Sequence, residues 1–222
     1  MEVPAITNEA VQRGAAVYSR PVLAIYDLFV LRFTNTFVWK CPSRHILQLY
    51  NENVSEKHLD VGVGSGYFLD HCRFPSATPR IALMDLNENS LEKTAKRLRR
   101  YSPRSYRRNV LEPVEIGDSG FGSVGLNYLL HCLPGNMISK RAVFENLKPL
   151  LRRDGILFGT TILGGDVRRN WLARRYMKIF NSCGVFSNYN DHREDLERGL
   201  SQTFGRHEVT TRGCIAFFRA WN

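Results

Sequence analysis

The chain has 222 residues, and 31 Lys and Arg against 21 Asp and Glu give it a formal charge of +10 at neutral pH. That length supports one domain with a sizeable core, and 43% hydrophobic with 23% charged residues excludes a disordered, collagen-like or membrane-spanning chain. The five cysteines (Cys41, Cys72, Cys132, Cys183 and Cys214) are scattered without a C-x-x-C pair, which speaks against a disulfide framework or a zinc site and fits a reducing compartment.

The first residues, MEVPAITNEAVQRG, lack the basic start and apolar core of a signal peptide, so a cytoplasmic protein is expected. An aromatic-rich helix follows, with Ser19 to cap it and Pro21 in its first turn. Val22 to Val38 is apolar but broken by Asp27, Arg32, Thr34, Asn35 and Thr36, so it falls short of a membrane span. Residues 1–45 are expected to form a helical cap over the mouth of a core at 46–222.

From Lys57 onward, strand-like runs alternate with helical patterns. Strands are predicted at Lys57–Val61, Arg80–Asp85, Ser105–Val110, Gly122–Tyr128 and Gly155–Ile162, and helices at Tyr67–Cys72, Glu88–Tyr101, Ile138–Leu151 and Val167–Asn181. This alternation specifies a mostly parallel α/β sheet with helices on both faces. The end differs, because Glu208–Thr211 and Cys214–Trp221 are separated only by Arg212-Gly213, which permits only an antiparallel hairpin.

The positive charge invites a nucleic-acid reading. Its densest run, from Lys93 to Arg108, sits on a helix whose Leu91, Ala95 and Leu98 recur at i, i+4 and i+7. The charges therefore occupy the outward face of an amphipathic helix. A second group is Arg168, Arg169, Arg174 and Arg175.

The most informative stretch is Asp60-Val61-Gly62-Val63-Gly64-Ser65-Gly66-Tyr67, a strand running through three alternate glycines into a helix. Glycines there permit positive φ and close approach of a ligand to the backbone. The spacing is G-x-G-x-G, and Tyr67 stands where the dinucleotide pattern would need glycine. Nineteen residues beyond Gly66 the second strand ends at Asp85, where a carboxylate can accept from both hydroxyls of a ribose. The same carboxylate could instead cap the next helix, although Asn87 and Asn89 are available for that.

These features resemble the class I S-adenosylmethionine-dependent methyltransferases, small-molecule type. The resemblance implies a Rossmann-like seven-stranded sheet with a reversed last strand. It also implies a cofactor site of Asp60, Gly62, Gly64, Gly66, Asp85, Leu86, Asn109, Val110 and Asn127, with S-adenosylmethionine as cofactor. Tyr26-Asp27, Asn35 and Trp39-Lys40 are similar to the head of quinone-biosynthesis C-methyltransferases, which places Tyr26 beside the cofactor. The implied reaction is in-line methyl transfer to O, C or N of a small apolar or aromatic metabolite of specialised or polyketide type.

For a general base the chain offers His131, just after the fourth strand, with an ordinary pKa suited to neutral pH; a structural role is the alternative. Tyr128 is a second candidate, to orient the substrate or line the methyl channel. His58 and His71 read as packing and surface residues. A small-molecule acceptor is the expected partner, with no membrane, no nucleic acid and no metal; a homodimer stays open. The rival readings are a protein of this fold without methyl transfer, pericyclase-like or regulatory, and an RNA methyltransferase. The last is opposed by the absence of an appended module and of an N-P-P-Y-type motif, the sequence being Asn127-Tyr128-Leu129-Leu130.

Overall fold

The computed structural model describes residues 27–222, with side chains from residue 33 onward. Seven strands form one sheet: β1 (Lys57–Val61), β2 (Arg80–Asp85), β3 (Arg104–Arg107), β4 (Phe121–Asn127), β5 (Leu151–Ile162), β6 (Arg206–Arg212) and β7 (Ile215–Trp221). Their order is β3-β2-β1-β4-β5-β7-β6. The first five run parallel, and β7 lies antiparallel between β5 and β6. The expected seven-stranded sheet with a reversed hairpin is therefore present.

The inner strands are apolar on both faces, as a covered parallel sheet requires. On β2, Ala82 and Met84 enter one hydrophobic layer with Phe144, Leu147, Leu196 and Leu200. The alternate residues Ile81 and Leu83 enter the other, with Ile46, Leu49, Tyr50 and Phe68. This two-residue alternation puts helices on both faces.

Six α-helices are described: α1 (Ser43–Asn53), α2 (Tyr67–His71), α3 (Glu88–Arg97), α4 (Arg141–Leu147), α5 (Trp171–Ser182) and α6 (Arg193–Thr203). A π-helical segment, Asp27–Val38, precedes them. α1 buries Ile46, Leu49 and Tyr50 at i, i+3 and i+4, one helical stripe. It runs through residue 45, where the sequence suggested a boundary between cap and core.

Several predicted bounds shift. The third strand ends at Arg107, not Val110, because Asn109 Oδ1 accepts from Leu111 N at 3.1 Å and turns the chain. The fourth ends at Asn127, because Tyr128 takes φ +56°. The fifth begins at Leu151, four residues early. The helices predicted to Tyr101 and Leu151 finish as 3₁₀ turns at Arg99–Tyr101 and Lys148–Leu150. α6 was not foreseen. The predicted Ser19 cap and Pro21 turn lie outside the described residues, as does Tyr26.

All five cysteines are free. Among the described residues no helix is long and apolar enough to cross a membrane, and no cluster of His, Cys, Asp and Glu could hold a metal.

The segment after β5 is anchored by a buried ion pair. Lys140 Nζ lies 2.7 Å from Asp191 Oδ2, both side chains at most 1% exposed, and donates also to Ser187 O at 2.7 Å. Gly164 N and Gly165 N both donate to Asp191 O at 3.1 Å. Burial opposes both charges, and their contact offsets part of that penalty. Removing one partner strands the other in the core, so Lys140→Met should destabilise by about 3–5 kcal/mol. The double variant Lys140→Met/Asp191→Leu should lose less than either single change, which chemical denaturation will measure.

Candidate active site

At the end of β1 the chain reverses through Gly62 (φ +72°), Gly64 (φ +52°) and Gly66 (φ +71°) before entering α2. Gly62 N donates to Met84 O at 2.8 Å, tying the turn to β2, and Gly66 N donates to Val63 O at 2.9 Å. A Cβ on Gly64 would meet nothing within 4 Å. It would project into a crevice with about 1060 Å³ of non-protein space, partly open to solvent. The walls of that crevice are the ends of β1, β2 and β4 and the loops after them.

The structure brings nearly all the predicted binding residues together there. Asp60, Gly62, Gly64, Gly66, Asp85, Leu86, Asn109, Val110, Asn127 and Tyr128 all line it. Asp85 is partly buried, and its Oδ1 accepts from Asn87 N at 2.8 Å. Burial pushes its carboxyl up to about 6, against the pull of backbone N–H groups of Asn87, Gly64, Val63 and Leu86. Asn87 caps α3 instead, its side chain accepting from Ser90 N at 3.2 Å. Asp85 is therefore not the cap.

Asp60 is 5% exposed, and its Oδ1 accepts from Tyr50 Oη at 2.9 Å. Burial and the adjacent carboxylate hold the Tyr50 phenol well above its ordinary pKa, so it stays a donor. Asn109 Nδ2 donates to Glu112 Oε1 at 2.9 Å, while Asn146 Nδ2 donates to the Val110 carbonyl at 3.0 Å. Asn127 Oδ1 accepts from Thr160 Oγ1.

Tyr128, held in the left-handed region, donates its hydroxyl to Asn35 Oδ1 at 2.9 Å. Asn35 Nδ2 in turn donates to Ser43 Oγ at 2.9 Å. The aromatic head is thus joined to the crevice rim. Leu129, Cys132, Leu133 and Pro134 continue that rim.

His131 does not line this crevice, and of the two roles offered for it, base or structural, its surroundings suit the structural one. The residue is 3% exposed, its ring packs edge-on to Phe186 with centroids 4.6 Å apart, and its Nδ1 lies 3.3 Å from Ile162 N, which donates to it. Burial, aided by the Lys140 charge, drops its pKa to about 3. A ring in that state keeps Nδ1 as an acceptor and takes up no proton near pH 7.

His58 is fully buried, as expected of a packing residue, and it also meets polar groups: its Nδ1 lies 2.8 Å from Ser123 Oγ and its Nε2 3.5 Å from Asp60 Oδ1. Tyr50, Ser90 and Arg108 also line the crevice and were missed. For Tyr50 the signal was present, in its helical spacing with Ile46 and Leu49.

The His131 assignment has a direct check. Its ring resonances should not titrate between pH 5 and 8, and a titrating signal there would restore a base. Because the unfolded chain binds the proton that the folded ring refuses, His131 should also lower stability as pH falls through about 6.5.

A methyltransferase domain family matches residues 59–157. Demethylluteothin O-methyltransferase of Streptomyces thioluteus is 39% identical over 216 residues, covering 97% of this chain and 94% of the relative. The physcion biosynthesis cluster O-methyltransferase of Aspergillus chevalieri is 37% identical, covering 94% and 95%. The crystal structure of the N-methyltransferase NodS from Bradyrhizobium japonicum, with S-adenosyl-L-homocysteine bound, superposes with a TM-score of 0.64 at 14% identity over 95% of this chain and 98% of that one. The glycine reversal, the strand-end carboxylate and these relatives together show that the chain belongs to the class I S-adenosylmethionine-dependent methyltransferases of small-molecule type.

Proposed function

We propose that this enzyme methylates an acidic hydroxyl, phenolic or enolic, on a small apolar or aromatic metabolite. The observation that carries the reading is the make-up of the acceptor-side rim: Tyr128, Leu129, Cys132, Leu133 and Pro134, with no carboxylate or imidazole among them. A rim of that kind suits an acceptor that loses its proton without a strong protein base. The names of the relatives, O-methyltransferases from a bacterium and a fungus, support oxygen as the atom methylated.

The residues fit the cofactor. Gly62, Gly64 and Gly66 would make room for its amino-acid tail, Asp60 would face the amino group, and Asp85 would accept from the ribose hydroxyls. Leu86, Asn109 and Val110 would flank the adenine, and Asn127 would line the path to the acceptor. When bound, the cofactor supplies a methyl group on a positively charged sulfur, an activated leaving group. The protein then has to align the acceptor oxygen with that methyl and keep water out. Tyr128, fixed by Asn35, forms the wall at which the acceptor stops.

Incubation with S-adenosylmethionine and panels of phenols, enols, aliphatic alcohols and amines, read by mass, should add one methyl to the first two classes. Preferential methylation of amines or alcohols would overturn the reading.

Asp85 makes cofactor affinity pH-dependent. Two hydroxyl donors favour the ionised carboxylate, so the bound pKa lies below the free value of about 6. Calorimetric affinity for S-adenosylhomocysteine should be full above neutrality and fall as pH drops through about 6. Asp85→Asn should weaken binding about tenfold and abolish that pH step; a step that survives assigns it to another group.

A further inference from the structure

The buried network behind Asp60 carries an inference that rests on the placement of Asp60 against the cofactor's amino group. His58 is fully buried on β1, two residues before Asp60 and on the same face of the strand. Its Nδ1 meets Ser123 Oγ at 2.8 Å, and that oxygen also accepts from Ser55 N at 2.8 Å. The other ring nitrogen, Nε2, lies 3.5 Å from Asp60 Oδ1 and has no hydrogen-bond partner.

With a carboxylate on that side, the tautomer that carries its proton on Nε2 is favoured, and Nδ1 takes the Ser123 proton. Asp60 Oδ1 then accepts one hydrogen bond, from Tyr50 Oη at 2.9 Å, and faces the Nε2–H dipole of His58 at 3.5 Å, a contact longer than a hydrogen bond. Both contacts fall on Oδ1. The neighbouring strand makes room for this arrangement. A Cβ on Gly125 of β4 would lie 2.6 Å from Asp60 Oδ1 and 3.1 Å from His58 Cε1, so any side chain there would displace the pair.

We propose that His58 is a positioning residue for cofactor binding: its Nε2–H dipole, beside the Tyr50 hydrogen bond, holds Oδ1 of Asp60, so that Oδ2 is presented to the ammonium end of S-adenosylmethionine. Gly125 is required because the pair occupies the space of its side chain. His58 itself touches neither cofactor nor acceptor in this arrangement.

The test compares two ligands that differ only at that end, S-adenosylhomocysteine and 5′-methylthioadenosine, which lacks the amino-acid tail. Calorimetry on the full chain should show His58→Leu weakening the first by about tenfold and leaving the second within about twofold. His58→Gln, whose amide nitrogen takes the place of Nε2, should recover most of the loss. Equal losses for both ligands, or no loss for either, would overturn the proposal, since a merely structural histidine cannot discriminate between them. Ser123→Ala, a smaller change in the same chain of contacts, keeps the question answerable if His58→Leu fails to fold; it should reduce the ratio of the two affinities in the same direction, and an unchanged ratio would count against the proposal. Asp60→Asn separates this inference from the placement beneath it. If Asp60→Asn leaves the ratio of the two affinities unchanged, the Asp60 placement is wrong; if it lowers the ratio while His58→Leu does not, only the His58 role fails.

Discussion

The site depends on one constraint: between Val61 and Tyr67 the chain must reverse direction through three left-handed residues, with the space in front of Gly64 left open. Three positive-φ residues in five are costly for any amino acid with a Cβ, so glycine is there for conformation as well as for space. The same reversal aims backbone N–H groups of Val63 and Gly64 toward Asp85. That carboxylate sits in a place it would otherwise avoid, held by donors from this reversal and from Leu86 and Asn87 of its own loop. Loop shape and strand-end charge are therefore one device.

Much of this was legible in the sequence, for physical reasons. β1 and β2 are buried on both faces, so their apolar runs show their limits, and the G-x-G-x-G turn and Asp85 are local patterns. β3 is another matter. Its residues Arg104–Arg107 are mostly exposed, so pairing with β2 defines the strand where hydrophobicity does not, and the apolar Val110 drew the predicted end too far. α6 escaped notice because Leu196 and Leu200 are its only large buried side chains in a strongly charged stretch. Burial of a histidine is not local either. His131 packs against Phe186 and His58 against Ser123, residues distant in sequence, and only the fold shows that one is sealed off and the other lies in a polar pocket behind Asp60.

The charge distribution separates two kinds of cation. On α3 and beyond it, Lys96, Arg99 and Arg100 face solvent, and Arg100 pairs with Asp70 at 2.5 Å in an arrangement worth little in water. Lys140 is the opposite case, withdrawn completely and matched by Asp191. The first kind adds to the formal charge of the chain from a solvated face. The second holds down the loop that packs against His131, where Ser187 N donates to His131 O at 2.8 Å, and so keeps the aromatic wall beside the crevice in place.

The position of β7 has a consequence for biogenesis. This strand is the last of the seven in sequence, yet it sits inside the sheet with β5 and β6 on either side, and at its tip Cys214 N donates to Trp39 O at 2.9 Å. During translation, the segment around Trp39 emerges from the ribosome well before the partner that fixes it. Until the β6–β7 hairpin has emerged, β5 presents an open edge to solvent or to a chaperone, so the strand that covers it is the last of the seven to be made.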